Sequence, residues 1–229
     1  MTENQNSKSK KFIFIPIVNH FHLLQKAINS VPNGLFDDYF IFNNSGQNLN
    51  EHLDLKHFKI FDYNGQLTFK DTQNKMREYA IQNNYDYYCF MHNDGEILDD
   101  SSQRLVETAD QFIKDNRNWG VIFTHYDVFC AYSTYCVKTI GEWGDDRWPS
   151  QKSGYYLDND YYRRIGLGGF FKHQLENTNV AHNEVSNTIR NEHELNIWNA
   201  QRQHVENHYI YKWGGLPPNE WLDPPFDTR

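Results

Sequence analysis

The stretch Asp86-Tyr87-Tyr88-Cys89-Phe90-Met91-His92-Asn93-Asp94-Gly95 decides how the chain is read. Residues 86–91 form an apolar run of strand length, the pattern of a strand buried on both faces of a mostly parallel sheet. The run stops abruptly at His92. Taken alone, His92 to Gly95 describe a turn, since Asn, Asp and Gly are turn formers. They also set a carboxylate at a sheet rim, where a hard divalent cation can hold a diphosphate.

Working outward, the same alternation of apolar strand and amphipathic helix recurs on both sides of that stretch. Phe12 to Val18 (FIFIPIV) is a second buried strand, followed by a helical pattern through Leu23, Leu24, Ala27, Ile28 and Val31 that ends at Pro32–Gly34. Tyr39 to Phe42 reads as a strand running into the turn Asn43-Asn44-Ser45-Gly46, and Phe58 to Phe61 as a short one. Phe69 to Asn84 and residues 101–116 read as helices, and Gly120 to Thr124 as the next strand. This order is the signature of a doubly wound α/β sheet, in which ligands bind beyond the carboxyl ends of the strands. Asn19-His20, Asn43–Gly46 and His92–Asp94 all fall at such ends, so three loops are expected on one rim.

The second half is less regular. Phe129 to Tyr132 reads as a strand, Cys136 to Ile140 as a short helix before Gly141, and Asp158 to Ile165 as a helix stopped by Gly166, Gly168 and Gly169. Asn179 to His182 reads as a strand end, and residues 190–208 as a polar helix. Three divisions follow: a disordered leader over 1–11, one domain over 12–190, and a C-terminal helix and tail over 191–229 packing on the same domain.

The 229 residues are 38% hydrophobic and 16% aromatic, too apolar for a disordered chain. The net charge of −8 argues against a protein that coats nucleic acid, and the basic run Lys8, Lys10, Lys11 is expected to be a solvated tail. Cys89, Cys130 and Cys136 show no metal or disulfide spacing, and Cys89 reads as a core thiol. There is no signal-like or membrane-length apolar segment, so a reducing, cytoplasmic setting is expected.

Two further segments carry possible chemistry. Asp158-Asn159-Asp160, 64 residues after Asp94, puts two acids at a helix start. They serve either as dipole-compensating caps or, for one of them, as a general base. His182 follows a short apolar segment and is either an ordinary polar residue or a ligand.

The ordered series of these segments resembles the family-2-like GT-A glycosyltransferases over about residues 12–190. IFIPIVNHFHLLQKAINSV is similar to their first strand and donor-binding turn, with Pro16 and Asn19 in that turn. Tyr39 to Ser45 resembles the strand and loop that hold the nucleobase, and Thr72-Gln73-Asn74 the helix segment facing the donor. DYYCFMHND resembles the strand bearing the DxD metal motif, and Lys138 to Trp143 the segment before the acceptor loop. Asp158-Asn159-Asp160, with Arg163 or Arg164, resembles the motif of the catalytic base, and His182 the late histidine near metal and diphosphate.

The resemblance implies a single GT-A domain with a Rossmann-like, mostly parallel sheet flanked by helices. It implies transfer of a sugar, with inversion of configuration, from a nucleotide-sugar donor, UDP-sugar favoured, with Mn2+ or Mg2+ as cofactor. The implied metal ligands are Asp94 and His182, and the implied base is Asp158, with Asp160 as its alternative. Pro16, Asn19, Asn43, Asn44, Asn74, His92, Asn93 and Lys212 are the implied donor-binding residues. The acceptor is a glycan, lipid or protein, with a hydroxylated DNA base as the minor alternative that the net charge disfavours. The departures are specific: His92 replaces the first acid of the DxD motif, and Asn43-Asn44 stand where an acid is usual. They keep open a non-catalytic sugar-nucleotide or carbohydrate-binding protein. A nucleotidyltransferase ranks lower, because Asn19-His20-Phe21-His22 lacks the Gly-rich, basic loop such enzymes carry after the first strand. The tail from Tyr209, with Trp221, is read equally as an acceptor-side wall or as a strap closing the core.

Overall fold

The computed structural model describes residues 9–63, 65, 67–146, 148, 155–183 and 191–223. Its centre is a seven-stranded sheet, and the strands that build it are β1 (Lys11–Ile17), β2 (Asp38–Asn43), β3 (Lys59–Asp62), β4 (Tyr87–Met91), β6 (Trp119–Thr124), β7 (Tyr126–Ser133) and β8 (Phe171–Gln174). The spatial order is β3-β2-β1-β4-β7-β6-β8. β7 alone runs against its neighbours, pairing antiparallel with β4 and with β6, while the other pairs are parallel. A separate ribbon joins β5 (Gly95–Ile97) to β9 (Val180–His182).

Alternation along β1 and β4 explains why both faces must be covered. Successive side chains of a strand point to opposite faces. Ile13, Ile15, Ile17, Tyr87, Cys89 and Met91 therefore enter one core, and Phe12, Phe14, Tyr88 and Phe90 the other. The first core is closed by α1 (Phe21–Ser30) and α3 (Ser101–Lys114), through Leu24, Ala27 and Ile28 and through Leu105, Ala109 and Phe112. The second is closed by α2 (Phe69–Gln82), α4 (Thr134–Ile140), α5 (Leu157–Leu167) and the last turns of α6 (Glu192–Trp213). α2 starts with a reciprocal cap, Thr68 accepting from the Asp71 N–H and Asp71 from the Thr68 N–H. α5 lies so close to β6 that a Cβ on Gly120 would collide with Ile165. Glycine is required there for packing.

The start of the chain departs from the expected leader. β1 begins at Lys11, whose side chain is 1% exposed and whose Nζ lies 3.0 Å from Asp110 Oδ2. Lys10 donates its N–H to Asp86, and Ser9 is buried as well. The basic run therefore feeds into the sheet; its lysine at 11 is paired where a solvated tail was expected. Residues 1–8 lie outside the described residues. β5 and β8 were not anticipated, because Gly95-Glu96-Ile97 and Phe171-Lys172-His173-Gln174 each carry a single large apolar residue and so no strand pattern. α6 is longer than expected: its first half is exposed, and only Val205, Tyr209, Lys212 and Trp213 are buried. Among the described residues, no helix is long and apolar enough to cross a membrane.

Candidate active site

The crevice opens where the sheet stops being a sheet. β1 pairs with β4 only as far as Phe14↔Phe90, whereas its ladder with β2 continues to Ile17↔Asn43. Pro16, which has no N–H to donate, lies just past the point where the β4 ladder ends. The turn beyond β1 and the turn beyond β4 then meet, Asn93 Nδ2 donating to the Asn19 carbonyl at 3.3 Å. Asn44 N–H donates to the Ile17 carbonyl at 2.9 Å. The three expected loops do share one rim. His20 there holds a left-handed backbone (φ 61), and neither Asn19 Oδ1 nor His20 Nε2 makes a hydrogen bond among the described residues, although both are buried.

At that rim His92, Asp94 and His182 offer ligand atoms that all lie within 4.8 Å of one another. His182 Nε2 is 3.3 Å from Asp94 Oδ2, and His92 Nδ1 is 3.9 Å from Asp94 Oδ1. Asp94 itself is 5% exposed. The β5–β9 ribbon brings the late histidine here: Gly95 stands opposite His182, and Asn183 N–H donates to the Asp94 carbonyl at 2.8 Å. The hydrogen bond with Asp94 raises the pKa of His182, against the effect of its burial. Burial lowers that of His92, although the Asp127 and Asp94 carboxylates pull the other way. A set of two imidazoles and one carboxylate, with His92 Nδ1 and His182 Nε2 turned toward Asp94, fits a divalent cation.

Beside this cluster lies a pair of carboxyl groups. Asp158, at the start of α5, is hydrogen-bonded to Asp127, at the start of β7, and is pushed up to about 7 by burial and by the Asp127 charge. Two carboxylates sharing one site cannot both ionise cheaply, so one holds a proton for longer. Tyr162 Oη approaches Asp127 Oδ2 at 3.5 Å and Tyr132 Oη at 3.1 Å. The residue before α5, Tyr156, is held at φ 59. Sequence reading missed Asp127, because one acid at a strand start has no pattern of its own.

Asp160 is placed quite differently. It is fully buried, accepts from Arg164 Nε at 3.0 Å and from Trp213 Nε1 at 2.9 Å, and lies 2.7 Å from Lys212 Nζ. Lys212 also lies 3.1 Å from Asp145. Burial resists ionisation of Asp145, but His208 and Lys212 outweigh it and hold its carboxyl well below the usual range. The ammonium of Lys212 is thus enclosed between two carboxylates, away from the His92–Asp94–His182 cluster in its bonding.

The remaining donor-side residues are engaged as scaffold. Asn43 donates to the Gln47 carbonyl and to Asp62 Oδ1, and accepts from Ser45. Asn44 makes a two-way bridge to Leu67, and Asn74 a two-way bridge to the backbone of Trp143. Asp62, at the end of β3, therefore delivers an exposed acid to a loop whose own positions carry amides. In the tail, Tyr209 and Trp213 are fully buried in the second core, as a strap would be, while Trp221 is 72% exposed.

No protein-family model matches the sequence, and no curated protein matches it. Solved structures do. A mannosyltransferase, PcManGT from Pyrobaculum calidifontis in complex with GDP-Man and Mn2+, superposes with a TM-score of 0.63 at 9% identity, over 97% of this chain and 68% of that one. TarS 1-349 of S. aureus in complex with UDP-GlcNAc gives 0.59 at 12% identity, over 93% and 68%. Glucosyl-3-phosphoglycerate synthase from Mycobacterium tuberculosis, in complex with Mn2+, UDP and glucosyl-3-phosphoglycerate, gives 0.60 at 12% identity, over 95% and 84%. The chain has the GT-A-type nucleotide-sugar transferase fold.

Proposed function

We propose that the chain is a divalent-metal-dependent glycosyltransferase that moves a sugar from a nucleotide-sugar donor to an acceptor hydroxyl. The observation that carries this reading is the adjacency of two groups at one sheet rim: the His92–Asp94–His182 cluster and the Asp127–Asp158 carboxyl pair. The solved structures of the same fold support it, since they hold GDP-Man or UDP-GlcNAc, or UDP with Mn2+.

Asp94, His92 and His182 would hold the cation, which supplies charge neutralisation on the departing diphosphate. Asn19 and His20, whose Oδ1 and Nε2 are buried without a hydrogen bond among the described residues, frame the donor beside it. Asp62 reads the nucleobase, with Asn43 fixing its carboxylate in place. Asp158 is the general base. It takes the proton of the acceptor hydroxyl as the oxygen bonds to the anomeric carbon, and the bond from that carbon to the diphosphate oxygen breaks on the opposite face, inverting the configuration. Asp127 sustains the basicity of Asp158, since a neighbouring negative charge strengthens its hold on the proton. Asp160 and Lys212 act as scaffold, because each is already matched to buried partners.

The test is a thermal-shift screen of UDP-, GDP-, CMP- and dTDP-sugars with and without Mn2+, followed by donor hydrolysis and transfer assays. One sugar nucleotide should raise the melting temperature only with the cation, and Asp94→Ala should remove that shift and all turnover. Tight, metal-dependent donor binding with no turnover on any acceptor would instead favour a binding protein. Full metal-dependent transfer by Asp94→Ala would overturn the site.

A further inference from the structure

The ligand set of the cluster is nitrogen-rich. Two of its three groups are imidazoles, and Asp94 is the single carboxylate within the 4.8 Å set. Taking the cluster to be the cation site, as proposed above, we infer that His92 is a direct ligand and sets the identity of the ion, favouring Mn2+ and softer transition ions such as Co2+ or Zn2+ over Mg2+. Three features of the local structure point to a ligand. The backbone of His92 is fixed by its amide N–H donating to the Val128 carbonyl at 2.9 Å, and its ring lies 5.0 Å from that of Phe90. Its ring faces that of His182 at 5.2 Å and 68° with Asp94 between them, so neither imidazole needs a new backbone path to reach a common point. Its Nδ1 is the ring nitrogen turned toward Asp94, 3.9 Å from Oδ1, too far for a hydrogen bond and within reach of an ion held between them.

The selectivity follows from the donor atoms. Mg2+ is small and hard, keeps an octahedral oxygen shell, and gives up water reluctantly. It gains little from imidazole, whereas the affinity of a nitrogen-containing site for transition ions rises along the series, least for Mn2+ and more for Co2+ and Zn2+. Exchanging a carboxylate for His92 also leaves the site one negative charge poorer, which costs a hard cation more than a soft one. Position 92 would thereby act as a specificity determinant, one that a carboxylate at the same place would reverse.

The metal alone is the probe. Pulsed electron paramagnetic resonance of the full chain loaded with Mn2+ should show two coupled imidazole nitrogens; one nitrogen, or none, overturns the role of His92. Calorimetric competition should give wild-type protein at least tenfold preference for Mn2+ over Mg2+ beyond that of His92→Asp, with His92→Asn as a second variant that removes nitrogen coupling without adding charge. Circular dichroism confirms the fold of each. Equal Mn2+/Mg2+ ratios in wild type and His92→Asp would sink this inference while leaving the cation site intact. If wild type binds no divalent ion and His182→Ala changes nothing, the site itself is wrong, a failure distinct from the first.

Discussion

Asp158 and Asp160 stand two positions apart in the first turn of α5 and have opposite surroundings. Asp158 meets another carboxyl group, that of Asp127, in a buried setting that favours its protonated form. Asp160 meets Arg164, Lys212 and the indole N–H of Trp213, which together match its charge. Since a helix turns about 100° per residue, residues two apart face different sides. One helix start thus delivers a poised acid to the rim and a locked acid to the core. The sequence motif offers both as candidates for the same role; their neighbours separate them.

The widest separation should come from Asp158→Asn, which is expected to reduce transfer by about 10²–10⁴-fold, the usual share of a general base. The same change should raise the melting temperature at pH 8. A carboxyl whose folded pKa lies above its unfolded value contributes stability that is lost as pH rises through about 7, and the amide removes that loss. Full activity in this variant would erase the distinction. Next, Asp160→Ala should cost about 3 kcal/mol in denaturant unfolding, because it leaves buried Arg164 with backbone carbonyls alone and Lys212 with Asp145 alone. A native-like unfolding midpoint with lost transfer would exchange the two roles. Third, the wild-type rate should fall as pH drops through about 7, where Asp158 takes up its proton. Asp127→Asn should move that limb to lower pH by removing the neighbouring charge, and a pH–rate profile unchanged in this variant would show that Asp127 does not act on the base. The smallest effect belongs to Trp213→Phe, which deletes one hydrogen bond to Asp160 for about 1–2 kcal/mol and should leave kcat as it was.

The sheet was legible because its central strands are long apolar runs; FIFIPIV and DYYCFM need no partner to be recognised as buried. The rim was legible for the same reason, since each polar loop follows directly on such a run. Asp94 and His182 were picked out by motif order, and the structure brings them together through the β5–β9 ribbon; β9 was read as a strand end, but its pairing with Gly95–Ile97 leaves no local pattern. The contact of Asp127 with Asp158 depends on β7 running backwards through an otherwise parallel sheet, a property of the whole topology. Lys212 carried a charge suited to phosphate, but its partners lie at 145 and 160, and long-range pairing of this kind leaves no local trace. In α6, the weak pattern of the sequence reflects a helix whose first half touches little.

The short ribbon sets Gly95 opposite His182, and its register alone decides which side chain meets Asp94. Side chains alternate along a strand, so sliding that ribbon by a single residue would turn the imidazole outward and present Ala181 or Asn183 to the acid instead. Asn183, bonded to the Asp94 carbonyl and to Glu96, is the stop that prevents the slide. On the proposed reading of the site, a chain that folded everywhere else but mis-threaded these few residues would bind no metal there.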